Sequence, residues 1–527
     1  MTDPTPTIPT WRRPVARAAA LLAVVVVALY AGGLRGEFVC DDRSEFVEND
    51  VLPRLRVPDV WQVFVRPVND WGDRQPVRDV LWVLELNAFG PAPAGFHVVS
   101  LVLYAALCAL VFLFARRLLA AGAGAHAPGL PGRDASALAV ALLFAVHPVH
   151  VETVAYVTGQ KDLLYGAFSL AALVVFQRAF DGPARRGRRV AAGVLLCALA
   201  LLSKQTAIAI AALVPLLWWT SDPARRPGRG PTFAVWGAAT AAALGWVWLS
   251  QRAMRELFGT AMDLEARSLA ERAAVAVKVL GAHARLAVVP RALSFGYPFD
   301  DGAAWDRDLA VGLVALAVLL ALALRFRRDP VVLVAVSLFF LFLVPVMQLT
   351  GTIHNASVYD RYLLLPILGL ALLVERGARA LAAWARRPLV AWGGTLGAIG
   401  VACAALTVAY VPAFADDVAV TRNTYARYPE WDAAAFELAS SLIEARRLDE
   451  ATALLAAERA LDRPEWVHGY LAGWIALERG EHDRALGLLA GSMSAATAGG
   501  YFPYPALPLG RPVATSVRPS GSAGYGK

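Results

Sequence analysis

Long apolar runs alternate along this chain with short polar stretches rich in arginine. The first run, about Val15 to Leu34, follows Arg12, Arg13 and Arg17. About 20 apolar residues can cross a bilayer core, and the basic flank assigns residues 1–14 to the cytoplasm. The acidic stretch 35–97 then falls outside as a first outer loop. Further runs near 98–114, 135–149, 162–179, 232–250, 309–324, 331–347, 361–374 and 389–412 are predicted as spanning helices. Arginine clusters such as Arg116–Arg117, Arg185–Arg189 and Arg325–Arg328 mark the inner loops, and successive inner loops need an even number of crossings between them. The segment "HPVHVETVAYVTGQKD" at 147–162 therefore lies at the outer face.

Residues 190–220 are ambiguous in length. At 1.5 Å per residue they make roughly 46 Å of helix, too long for one span of a roughly 30 Å core and too short for two. Both flanks are arginine-rich, so the run reads as two short helices broken at Ser203-Lys204-Gln205-Thr206. Broken backbone at membrane depth is tolerated where it lines a cavity, which directs Lys204 into one. Residues 251–308 stay outside, with a semi-amphipathic helix near 271–289 that lies on or re-enters the membrane. The reading is an all-α polytopic membrane protein with about 11 crossings and a membrane-embedded domain at 15–414.

After Phe414 the apolar runs stop. "FELASSLIEARRLDEATALL" from Phe436 and "YLAGWIALERGEHDRALGLL" from Tyr470 are offset by 34 residues (470 − 436), pairing Asp449 with Asp483 and Ala451 with Ala485. That is the tetratricopeptide period, so 415–500 is expected to be a tetratricopeptide-like helical tail outside the membrane. Two ordinary helical hairpins would produce the same pattern. Two repeats are fewer than independent stability usually needs, so the tail is expected to rest on the membrane domain. Residues 501–527, rich in Pro, Gly and Ser, are expected to be disordered.

Composition agrees with the pattern. The chain is 57% hydrophobic and 17% charged, against about 25% charged in soluble domains. Its net charge of +8 sits in the inner loops, the distribution of a membrane topology signal and not of a nucleic-acid-binding face. Only Lys161, Lys204, Lys278 and Lys527 are lysines. Cys40, Cys108, Cys197 and Cys403 form no CxxC pair, which indicates neither a disulfide framework nor a cysteine zinc site. Ionisable residues near bilayer depth usually face a cavity and mark function. His97, His147, His150, His283 and His354 fall on or near the outer face, with Glu152, Lys161 and Asp162. His147 and His150 beside Glu152 suggest a divalent metal site, although Pro148 interrupts the helix that would align them. A hydrogen-bonding cavity wall and ordinary interfacial residues are the other readings.

Several outer-face motifs, in chain order, carry a resemblance. They are "FVCDD" at 38–42, "GFHVVS" at 95–100, "HPVHVETVAYVTGQKDLL" at 147–164, "LLSKQTAI" at 201–208, "VPRALSFGY" at 289–297 and "DRYLLLPILG" at 360–369. With the tail, the chain resembles the transmembrane and tetratricopeptide-repeat (TMTC) group of the C-type glycosyltransferase superfamily, which is related to protein O-mannosyltransferases. The resemblance implies a C-type glycosyltransferase fold and a polyprenyl-phosphate sugar donor, with mannose as the expected sugar and a hydroxyl acceptor, a protein Ser/Thr before a glycan, held by the tail. It points to Asp41 and Asp42 as catalytic carboxylates, either one acting as base or orienter. Lys204, Arg361 and Lys161 become candidate partners of the donor phosphate. His97, His147, His150, Glu152, Asp162 and Tyr362 become candidate cavity-lining residues. No cofactor is required by this reading, and a divalent metal stays open. The expected location is a bacterial cytoplasmic membrane.

The chain departs from the group at Ser100 and Tyr104, where Asn and His are usual, at Gln205 and Asp360, where Glu is usual, and at Arg74-Gln75-Pro76, which splits an Arg-Pro pair. The competing reading is a non-catalytic membrane scaffold. A scaffold gives no reason for Asp41 or Asp42, Lys204 and Arg361 to meet.

Overall fold

The computed structural model describes residues 12–69, 74–121, 130–258, 268–299, 302, 305–347, 358–458 and 465–498. His354 and the terminal segment 501–527 lie outside the described residues. All regular structure among the described residues is helical. The chain forms two compact units, residues 1–427 and 428–527. The helix Asp417–Arg427 therefore belongs with the membrane unit, whereas the end of the apolar runs suggests a boundary at 414.

Among the described residues of the first unit, six helices are long and apolar enough to cross a membrane, within Pro14–Arg35, Pro93–Ala120, Val157–Phe180, Phe233–Ser250, Arg307–Arg325 and Pro388–Phe414. Shorter apolar helices cover Gln205–Thr220 and Pro330–Val346. The helix Arg133–Ala145 has 13 residues; it ends early because Pro148 has no N–H to continue the ladder. The expected break in 190–220 is present. Helix Arg186–Ser203 stops, Lys204 is extended at φ −160°, and a 3₁₀ turn over Gln205–Ala209 leads into helix Ile210–Thr220.

The semi-amphipathic segment forms helix Leu269–Val288, opened by a capping box between Ser268 and Glu271. Its apolar face packs on helix Arg307–Arg325 at a glycine crossing. A Cβ on Gly281 would stand 1.9 Å from the Asp308 carbonyl oxygen, and one on Gly312 would stand 1.9 Å from that of Val277. Lys278 is fully buried and pairs with Asp306 at 2.7 Å.

The polar stretch expected as the first outer loop forms a folded cap. Phe38, Phe46, Trp82 and Phe96 form its aromatic core, with Phe46 centred 4.9 Å from Trp82 and 5.0 Å from Phe96. Gln160, at the start of helix Gln160–Phe180, tethers this cap. Its carbonyl accepts from the Trp82 indole at 3.0 Å, and its amide donates to Glu85 at 2.8 Å and to the Phe96 carbonyl at 3.1 Å. Burial pushes the Glu85 carboxyl up to about 8, opposed by the Gln160 hydrogen bond.

The second unit is a pair of helical hairpins, Asp432–Glu444 with Leu448–Glu458 and Glu465–Glu478 with His482–Ala498. The 34-residue offset returns in the turns. Arg446 and Gly480 (480 − 446 = 34) both adopt positive φ, 59° and 81°, and Ala451 and Ala485 are both buried.

Two predictions follow from these contacts. Gly281→Ala forces the crossing helices apart and lowers stability by about 1–3 kcal/mol, read as a fall in Tm in detergent. Gly237→Ala, with nothing within 4 Å of its added Cβ, leaves Tm unchanged or slightly raised. For Glu85 the folded pKa of about 8 lies above its ordinary 4.5. The folded state therefore keeps a proton that the unfolded chain gives up, and stability falls as pH rises from about 4.5 to about 8, then levels off. Glu85→Gln, which mimics the protonated acid, flattens that part of the Tm–pH curve. An unchanged slope would rule out Glu85 as its source.

Candidate active site

The two candidate carboxylates occupy one tight turn and have different environments. The Asp42 N–H donates to the Val39 carbonyl at 3.0 Å, closing a turn with Cys40 at φ 52°, ψ −124°. Glycine is preferred at that turn position, and a residue held in such a sparsely populated region costs of order 1–3 kcal/mol. Asp42 is fully buried. One of its oxygens accepts from the Thr158 N–H and hydroxyl, both at 2.7 Å, and the other from the Val39 and Val157 N–H groups, both at 3.2 Å. Burial pushes Asp42 up to about 7, against the pull of these four donors. Asp41 is exposed, and its Oδ2 accepts the Tyr156 hydroxyl at 2.8 Å. Asp42 thus bolts the first outer loop to residues 157–158, and Asp41 is the carboxylate presented outward.

The DRY triplet places each of its side chains differently. Asp360 is buried and accepts the Tyr297 hydroxyl at 2.6 Å, which joins it to the "VPRALSFGY" segment. The Arg361 guanidinium pairs with buried Glu152, whose other oxygen accepts the Arg361 backbone N–H at 3.0 Å. That guanidinium lies 3.7 Å from the centre of the Tyr359 ring and 5.8 Å from Phe295. Phe295 meets Tyr156 edge-on at 5.3 Å, which returns to the partner of Asp41. Tyr362 has the Lys204 ammonium 5.2 Å from its ring centre. Lys204 pairs with buried Asp162 at 2.5 Å. Lys161, half-buried, has no hydrogen bond or ion pair among the described residues and is within electrostatic range of Lys204. Asp41, Arg361, Lys204 and Lys161 therefore belong to one contiguous group, with Glu152, Asp162 and Tyr362 as its supports. Tyr156, Phe295 and Tyr359 complete it. The sequence reading missed these three, although Tyr156 lies inside the conspicuous 147–164 motif.

His97, His147 and His150 stand apart from this group, whereas His283 packs 6.0 Å from the Tyr362 ring. His147 Nε2 meets the Ala287 carbonyl at 3.0 Å, and His150 Nδ1 lies 2.8 Å from the Tyr104 hydroxyl. His97 Nε2 meets the Gly36 carbonyl at 3.2 Å. All three are buried. The break at Pro148 leaves the imidazoles of 147 and 150 facing inward, and His97 lines a small separate cavity with Tyr30, Leu101 and Val154. Among the described residues, no group of three or more His, Cys, Asp or Glu is placed to hold a metal ion.

An apolar cleft of about 310 Å³ adjoins the helix break. Leu201 and Leu202 line it on one side of Lys204, Ala207 and Ile208 on the other, and Trp236 and Trp246 come from the helix Arg229–Phe258.

Comparisons with known proteins bear on this arrangement. The sequence model of glycosyltransferase family 87 matches residues 80–347, just over half of the chain. The chain is 32% identical over 192 residues to the protein O-mannosyl-transferase Tmtc1 of Drosophila melanogaster, covering 35% of this chain and 21% of that protein. It is 30% identical over 209 residues to human TMTC4, covering 36% and 27%. The chain thus spans only about a quarter of the length of these relatives. Among solved structures it is similar to the oligosaccharyltransferase AglB of Archaeoglobus fulgidus, with 13% identity, a TM-score of 0.40, and coverage of 84% of this chain and 59% of that one. With a family match that takes in the end of the cap from residue 80, the Glu152–Asp162 hinge and the Lys204 break, this multi-pass membrane protein, similar in part to the TMTC proteins, belongs to glycosyltransferase family 87.

Proposed function

We propose that this protein transfers a sugar, mannose by analogy with its O-mannosyl-transferase relatives, from a polyprenyl-phosphate carrier to a protein Ser/Thr hydroxyl on the extracytoplasmic side. The observation that carries the reading is the union of an outward carboxylate, three cations and an apolar cleft in one part of the molecule. A scaffold requires no such union.

Each group has a chemical task. The acceptor oxygen attacks the anomeric carbon, the bond from that carbon to the phosphate oxygen breaks, and the carrier leaves as polyprenyl phosphate. Asp41 takes the proton of the attacking hydroxyl, with Tyr156 fixing one of its oxygens. Negative charge grows on the leaving phosphate, so cations set in place beforehand favour the transition state. Arg361 and Lys204 are already neutralised by Glu152 and Asp162. Lys161 is then the uncompensated charge that attracts the phosphate, while the other two supply directed donors. The apolar cleft beside Lys204 suits an isoprenoid chain.

The test is transfer from labelled polyprenyl-phosphate mannose to protein in membranes. Asp41→Asn is expected to lower kcat by about 10²–10⁴-fold with Tm retained. Asp42→Asn lowers both activity and Tm, because an amide cannot accept from all four donors. Lys161→Met raises the donor KM more than it lowers kcat. Wild-type transfer by Asp41→Asn would move the base elsewhere, and no transfer by the wild type across a panel of lipid-linked sugars would leave the scaffold.

A further inference from the structure

The turn that carries Asp41 is held from the far end of the membrane unit. Residues 36–40 run beside the stretch that follows the last span. The Glu37 N–H donates to the Ala415 carbonyl at 2.9 Å, and the Cys40 N–H donates to Asp417 Oδ1 at 2.6 Å. A Cβ on Gly36 would stand 3.1 Å from the Phe414 carbonyl oxygen, so the two strands of chain touch closely. The other Asp417 oxygen faces Arg43 at 3.9 Å, and Arg43 is two residues beyond Asp41. The ordinary reading of an acidic residue here is a helix cap. That task is already filled, since Asp416 accepts from the Ala419 N–H at 2.8 Å at the start of helix Asp417–Arg427. Asp417 turns instead to Cys40, the residue of the turn with positive φ.

We propose that Asp417 is a positioning residue for sugar transfer: its carboxylate holds the Cys40 amide, keeps the turn in its glycine-like conformation, and so aims the Asp41 carboxylate. The proposal rests on the reading of Asp41 as the base. It divides the work within the turn. Asp42 fastens the turn to residues 157–158 and Asp417 fastens it to the segment after the last span, so Asp41 is aimed from both sides. Burial raises the Asp417 pKa, while the Cys40 N–H and Arg43 favour the charged form.

The test pairs an activity measurement with one that does not depend on activity. In the full-length chain with Cys108→Ala, Cys197→Ala and Cys403→Ala, the half-exposed Cys40 is the sole thiol, and its rate of alkylation by a maleimide reports the state of the turn. Asp417→Ala is expected to change that rate several-fold and to lower kcat for mannose transfer roughly 10- to 100-fold, as small misplacements of a catalytic group do, with the donor KM nearly unchanged. Asp417→Asn keeps an acceptor oxygen and is expected to retain most of kcat. Adding Cys40→Gly to Asp417→Ala, in the otherwise native chain, supplies a residue that adopts the turn unaided and is expected to restore part of kcat, which a general loss of stability would not allow.

Unchanged alkylation in Asp417→Ala would overturn the proposal. Altered alkylation with unchanged kcat would overturn it as well, and would remove the aim of Asp41 from the reaction. If the wild type transfers no sugar, the proposed function fails, and with it the positioning role. The alkylation contrast would then show whether the clamp itself exists.

Discussion

The candidate site depends on one buried carboxylate. Asp42 sits without solvent contact and gathers four donors from two parts of the chain 115 or more residues apart. An ionised group left unpaired there would cost more than any single contact could offset, so turn and hinge must meet for either to be stable. The constraint reaches the neighbouring residue. Side chains adjacent on a tight turn diverge, and with Asp42 locked inward, Asp41 is directed outward to Tyr156. The "DD" pair, symmetrical in sequence, becomes an anchor and an outward-facing carboxylate because only one of the two can occupy the nest of N–H groups.

The cations obey a related rule. Arg361 and Lys204 are nearly enclosed, and each has a carboxylate partner with no exposed surface. Burying such pairs is seldom a net gain in stability, and well-packed apolar residues would fill the same space at less cost. What the pairs achieve is orientation. Glu152 grips both the guanidinium and the backbone N–H of Arg361, and aromatic rings on several sides confine it. Such charges need no reorganisation when an anion arrives, and preorganisation of that kind is what electrostatic catalysis requires.

Much of the architecture could be read from the chain because it obeys strong local rules. Run length and the surplus length of 190–220 were enough to locate the long apolar helices and the break at Lys204, but not the cap helix Pro76–Phe89. The 34-residue offset in the tail reappears in the paired turns at Arg446 and Gly480. Other features have no local signal. Phe38, Phe46, Trp82 and Phe96 are scattered through a polar stretch, and only their meeting makes that stretch a cap. Gly281 and Gly312 acquire meaning through a crossing that neither helix announces. The histidines misled the reading for a physical reason: an imidazole at an outer loop suggests a cavity, but Pro148 ends the helix and turns both rings toward backbone carbonyls and the Tyr104 hydroxyl. Asp417 was invisible because its partner is 377 residues away.

The departures from the TMTC pattern can be sorted by what they touch. Ser100 accepts from the Gln160 amide at 3.2 Å, behind the hinge. Tyr104 lies beneath it, with its hydroxyl within 3.2 Å of the Phe144 and Ala145 carbonyls and 2.8 Å from His150. Asp360, shorter than the usual Glu, is reached by Tyr297, so that a hydroxyl spans what a longer acid would otherwise cover. These three changes occur in the support layer, where one hydrogen-bonding group can replace another if its neighbours adjust. Asp41, Lys161, Lys204 and Arg361 all fall within the segments that carry the resemblance. Substitution in the support layer alters how those four are held and leaves their chemical identity intact. On that ground Ser100, Tyr104 and Asp360 are changes in how the four are held, whereas Gln205 borders Lys204 itself at the helix break.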